Sequence, residues 1–165
     1  MMSRMVLSRP NSSSAKLFDP IRGQLVEKTP EEIVRQRLLN YMSKECGFPK
    51  SLIAVEKSLR ELPHLQHLPN IGDRRIDVLV FARHIHPAHT LYPLMLAECK
   101  AGHLSQRAVE QALGYNAQIG APFVLLVSPK EIRLYSPRSG EKLDFLPQLL
   151  PYPELVSRAK CLYAR

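Results

Sequence analysis

Three side chains carry the chemistry that this sequence offers. Asp77 interrupts the apolar run Ile76-Asp77-Val78-Leu79-Val80-Phe81, Glu98 ends Leu94-Met95-Leu96-Ala97, and Lys100 follows two positions later. In a strand, residues i and i+2 face the same way, so Glu98 and Lys100 project from one face and Cys99 from the other. If the two strands are neighbours, Asp77 joins the pair. A carboxylate inside a sheet is costly unless it is partnered. Two carboxylates with one backbone carbonyl, that of Cys99, make a hard-oxygen set suited to Mg²⁺, with Mn²⁺ as a substitute. The Lys100 ammonium could then orient or deprotonate an attacking water. The competing reading is a salt bridge at a strand end. Glu-x-Lys alone favours that reading, and an Asp in the middle of the preceding strand brings the two level.

The elements that must position these residues follow from pattern. Phe18 to Val26 reads as two short extended pieces around a Pro/Gly turn. Thr29 caps a helix, Pro30 suits its first position, and Glu32 completes a capping box. Ile33, Val34, Arg37, Leu38 and Tyr41 form its apolar stripe, Gly47 closes it, and Pro49 prevents its return. Leu52–Leu59 is β-capable, and residues 61–72 read as a loop. Arg75–Phe81 is a strand, residues 82–93 a second loop, and Leu94–Lys100 another strand. Leu104–Ile119 is helical. Phe123–Ser128 is a buried strand, Ile132–Tyr135 a shorter one, and the proline-rich tail ends in a weak helical stretch. The first strands can pair as an antiparallel meander, and the helix before Phe123 is long enough for a parallel crossover. The fold class is therefore α/β, a mixed sheet with helices on both faces.

Lys and Arg number 23 against 15 Asp and Glu in 165 residues, a net charge of +8, which favours a polyanion such as nucleic acid as partner. Arg74, Arg75, Lys100, Arg107 and Lys130 could frame a phosphate-binding cleft, with Arg35 and Arg37 as further candidates. No zinc finger, recognition helix or RNA-binding aromatic signature supports sequence-specific base reading. Three widely spaced cysteines form no disulfide framework and point to a reducing compartment, the cytoplasm. No apolar run reaches the roughly 18 residues of a membrane span, and the start lacks the apolar region of a signal peptide. Residues 1–16 read as a polar arm and 17–165 as one domain. His84, His86 and His89 read as a solvated loop, since a zinc site would want further ligands at fixed spacing. Glu56 reads as a strand-surface charge.

Asp77 followed by Glu98-Cys99-Lys100 resembles the PD-(D/E)XK nuclease pattern. The stretches Thr29–Gln36, Gly47–Lys57, Arg75–Val80, Ala97–Ala101 and Gln111–Asn116 are together similar to the amino-terminal domain of type I restriction enzyme R subunits. The likeness covers roughly residues 18–136. It implies a restriction-endonuclease-like three-layer α/β/α core that hydrolyses DNA. Asp77 and Glu98 would hold Mg²⁺ and Lys100 would assist the water. Gln111 and Tyr115 match a Q-x-x-x-Y element, with Gln111 positioning the site or the DNA and Tyr115 counted with the DNA contacts. Glu32 would be the helix-borne acid that joins the site, with Glu31 as its substitute. Arg75-Ile76 departs from the pattern, where a Pro precedes the Asp. No GxxxxGK loop is present, so translocation would fall to a partner, a separate motor or specificity subunit. The alternative is a non-catalytic DNA-binding or protein-interaction module of the same fold.

Overall fold

The computed structural model describes residues 15–137 and 144–164. All but the last two residues of the arm read at 1–16 lie outside them. Lys16–Asp19 (β1) and Gln24–Glu27 (β2) form a two-stranded hairpin, with Gly23 at φ +64° in its turn. Pro30–Lys44 (α1) follows, then Ile53–Ser58 (β3), Arg75–His86 (β4) and His89–Cys99 (β5). Gln106–Ile119 (α2) leads to Phe123–Val127 (β6), Ile132–Tyr135 (β7), Phe145–Leu146 (β8) and Tyr152–Tyr163 (α3). The six strands β3 to β8 lie in chain order in one sheet. Only β5 and β6 are parallel, joined by the α2 crossover, and the other neighbours are antiparallel.

Two cores sandwich this sheet. On one face Val34, Leu38, Leu39 and Met42 of α1 and Leu155 and Ala159 of α3 meet Val78, Val80, Ala97 and Cys99. On the other, Val109, Ala112 and Ile119 of α2 meet Leu79, Leu96, Val124 and Leu126. That is the expected three-layer, restriction-endonuclease-like α/β/α arrangement. Leu39 is fully buried, so Leu39→Ala would cost about 2–5 kcal/mol in lost transfer and cavity terms.

The structure departs from the sequence reading where tertiary pairing overrides local composition. The loop expected at 82–93 is instead the far half of a long β4–β5 hairpin. Pro87-Ala88 makes the turn between His86 and His89. Pro93 is tolerated because it stands opposite Phe81 at a register shift, where the ladder is already broken. The loop expected at 61–72 contains short 3₁₀ turns and buries Leu62, Leu65 and Ile71 in the α2-side core. Only half of the capping box forms: Thr29 Oγ1 accepts from the Glu32 N–H at 3.1 Å, while the Glu32 carboxylate is engaged elsewhere. The apolar stripe of α1 is also displaced. Arg37 and Tyr41 are exposed, and Arg35 and Gln36 are buried. The weak tail helix is a full 12-residue element packed on the α1 side.

Candidate active site

The register Val78↔Ala97 brings Asp77 of β4 and Glu98 of β5 to the same step of the ladder, at one end of these two adjacent inner strands. Glu98 faces α2, while the Cys99 side chain is buried in the core on the α1 side. Cys99 meets Asp77 through its backbone, its N–H donating to Asp77 Oδ2 at 2.8 Å. Burial pushes the Cys99 thiol far up. The other Asp77 oxygen, Oδ1, accepts from Arg35 at 2.8 Å.

Glu98 is only 8% exposed, and its Oε1 has no hydrogen-bond partner. Its Oε2 lies 3.9 Å from the Lys100 ammonium. Burial, then the neighbouring Asp77 charge, raise its pKa to about 7, against the pull of Lys100. A carboxyl raised mainly by burial, with a like charge behind it, marks a candidate functional group.

A cleft of about 220 Å³ opens over Glu98 and Lys100, between the strand ends and α2, bordered by Arg74, Arg75, Gln111 and Tyr115. Arg74 donates to the Tyr115 hydroxyl, and its guanidinium stands 4.9 Å from the ring centroid. Lys100, Gln111, Arg74, Arg75 and Tyr115 are thus brought together with Glu98. Arg107 is exposed in the first turn of α2 and does not line this cleft. Lys130 borders a separate groove of about 530 Å³ beside α1.

Glu32 is placed differently from expectation. It is buried, and its oxygens accept from Arg22 at 2.8 Å, Arg35 at 2.7 Å and Gln36 at 2.9 Å. Arg35 therefore links it to Asp77, and the two acids share a cation rather than standing side by side. Glu31 is exposed. The sequence reading missed the rest of this network. Arg22 also binds Asp19 at 2.6 Å and Glu56 at 3.0 Å, and Arg35 reaches Glu56 at 3.4 Å. Glu56 has φ +52°, a left-handed backbone unusual for a non-glycine residue. The available signal was Asp19-Pro20-Ile21-Arg22: an Asp before such a turn can bond the next backbone N–H groups. It does so here, with Oδ1 accepting from Ile21 at 2.7 Å and Arg22 at 2.8 Å. Asn116 has a structural task, its side chain bonding both the N–H and the C=O of Ala121 where α2 turns into β6.

His84, His86 and His89 stand in the β4–β5 hairpin rather than in a loop, and His84 and His89 are exposed. His86 and His89 also meet an aromatic ring. Both stack on Tyr92, with ring centroids 4.2 and 5.4 Å away. Among the described residues no group of three His, Cys, Asp or Glu side chains is arranged to hold a metal ion. The donors that fit a hard cation are Asp77 and Glu98, because Glu98 Oε1 is a buried acceptor without a donor. Among the described residues, no helix is long and apolar enough to cross a membrane.

A mixed sheet between helical layers, with an acid pair and a lysine at the ends of two adjacent inner strands, defines a domain of the restriction-endonuclease-like class. The profile of type I restriction enzyme R protein N terminus matches residues 30–149, most of the chain. The chain belongs to that family. No curated protein matches it. A crystal structure of a DUF820 protein from Anabaena variabilis, described as a candidate nuclease, is similar at 13% identity and a TM-score of 0.47, covering 94% of this chain and 93% of that one. At that distance neither activity nor residue roles transfer.

Proposed function

We propose that this domain is a Mg²⁺-dependent nuclease, with Mn²⁺ as a substitute, that hydrolyses DNA phosphodiester bonds within a type I restriction assembly. One observation carries the reading: Glu98 is buried with an empty acceptor, beside the charge of Asp77, under a cleft bordered by arginines. Asp77 and Glu98 would hold the cation. Such an ion neutralises charge on the phosphate and makes water a competent nucleophile near neutral pH.

The chain's own residues do the rest. Arg74 and Arg75 bind phosphate oxygens through charge-assisted hydrogen bonds. Lys100 orients the attacking water and shares its proton. Gln111 and Tyr115 hold the strand over the acids, Tyr115 fixing the Arg74 guanidinium. The water oxygen forms the new P–O bond as the bond to the leaving deoxyribose oxygen breaks, and that oxygen takes up a proton. Translocation and site choice belong to a separate motor or specificity subunit. Three free thiols fit a cytoplasmic setting.

A second reading has its own support. Both Asp77 oxygens already accept hydrogen bonds, from Arg35 and Cys99, which suits a DNA-binding or protein-interaction module without catalysis. The deciding experiment incubates purified protein with supercoiled, linear and single-stranded DNA in Mg²⁺, Mn²⁺ or EDTA. Cleavage that needs the metal and is lost in Glu98→Gln supports the nuclease. Binding of every DNA form with cleavage of none replaces it with the second reading.

A further inference from the structure

A second cavity, of about 310 Å³, is not bordered by Glu98 or Lys100. It shares Arg74, Gln111 and Tyr115 with the first and is otherwise bordered by residues that include Gly114 and Gln118. Gly114 stands in the interior of α2, where glycine weakens a helix relative to alanine. The fold itself gives no reason for it. Gly114 is not in a left-handed conformation, and a Cβ built there would meet no atom within 4 Å. A glycine that the protein does not need for its own backbone or packing suits a place where another molecule's atoms come close.

The neighbours say what that molecule is. At about 100° per residue, Arg107, Gln111, Gly114 and Gln118 fall within about 60° of one another around α2. Each amide offers two donors and an acceptor, and Arg74, which borders the cavity, offers charge for phosphate. A ligand with an anionic backbone and hydrogen-bonding edges is a nucleotide strand.

We propose that this cavity is a subsite for the nucleotide next to the one at Glu98 and Lys100. The DNA strand would run along α2, past the Arg74–Tyr115 pair and close over Gly114. This rests on the nucleic-acid reading above and deepens it, by giving the strand a path along α2 beyond the first cleft.

The test measures binding of a labelled DNA oligonucleotide by fluorescence anisotropy, in EDTA so that no cleavage intervenes, beside thermal melting of the same samples. Gly114→Ala and Gly114→Leu should melt at or above the wild-type temperature. They should nonetheless bind DNA more weakly, by roughly tenfold for Leu and less for Ala. Folded variants that bind as wild type does would overturn the subsite and leave the nuclease reading standing. Variants that melt lower would also overturn it, because the glycine would then be structural. Wild-type protein that binds no DNA would end both readings together.

Discussion

Arg35, on the first helix, donates to Asp77 on the fourth strand at 2.8 Å across 42 residues of sequence, and to Glu32 one helical turn back at 2.7 Å. The guanidinium is 6% exposed by residue and its Nε has no partner, so it is held for its charge rather than for complete hydrogen bonding. Removing one member of such a network strands the other charges in the interior. Arg35→Met should therefore lose about 3–5 kcal/mol in urea unfolding. Arg60→Met, which breaks the exposed pair with Asp73 and one hydrogen bond to the Ile71 carbonyl, should lose no more than about 1–2 kcal/mol. Equal losses from the two would show that the Arg35 network is solvated in solution.

The orphan oxygen of Glu98 gives a second expectation. Mg²⁺ or Mn²⁺ should raise the melting temperature of the wild type, because an ion bound only by the folded chain stabilises it by mass action, about 2.7 kcal/mol at one hundred times Kd. Asp77→Asn and Glu98→Gln should each abolish that rise. Glu98→Gln should also make the metal-free protein more stable, since it removes a like-charge contact, whereas Asp77→Asn should not, because it takes the carboxylate from Arg35. A wild-type melting curve indifferent to the metal would remove the support for a cation site.

Glu98 also sets a pH dependence with a definite sign. Burial first, and Asp77 second, hold its folded pKa at about 7, above the ordinary 4.5. Between those values the folded chain keeps a proton that the unfolded chain has lost. Its contribution is complete below the unfolded pKa and is lost as pH rises through about 7. Melting in EDTA from about pH 5 to 8 should show wild type falling relative to Glu98→Gln. Metal affinity should move the other way and strengthen over the same range, because the proton must leave before the ion can bind. Parallel melting curves for the two proteins would place the Glu98 pKa back in the usual carboxylate range.

Lys100 shares a face with Glu98 and stands 3.9 Å from it. Lys100→Ala should keep DNA binding within a few-fold while lowering cleavage by about 10²–10⁴, the usual worth of a positioned acid or base. Lys50→Ala, in the turn after α1, should leave both unchanged. Single-turnover cleavage at matched folded protein, checked by circular dichroism, separates the two. Full activity in Lys100→Ala would mean that the proton is handled elsewhere.

What could be read from sequence was local or periodic. Glu98 and Lys100 share a face because strand geometry makes i and i+2 do so, and Thr29 and Pro30 start α1 because capping is a property of a few adjacent residues. The parallel β5–β6 pair was legible for the same reason, since a helix between two apolar strands is long enough to cross over. Pairing across the chain was not legible. Pro87 and the histidines read as loop, yet cross-strand hydrogen bonds over residues 82–92 make them a hairpin. Arg35 and Glu56 carry no local mark of what they do: one is an arginine inside a helix, the other a charge inside a strand. Only the docking of the β1–β2 hairpin and α1 beside the end of β4 turns them, with Asp19, Arg22 and Glu32, into a network that is buried except at Glu56 and ends on Asp77. Charge interactions depend on distance through space and on the loss of water around them, and only the folded chain sets either.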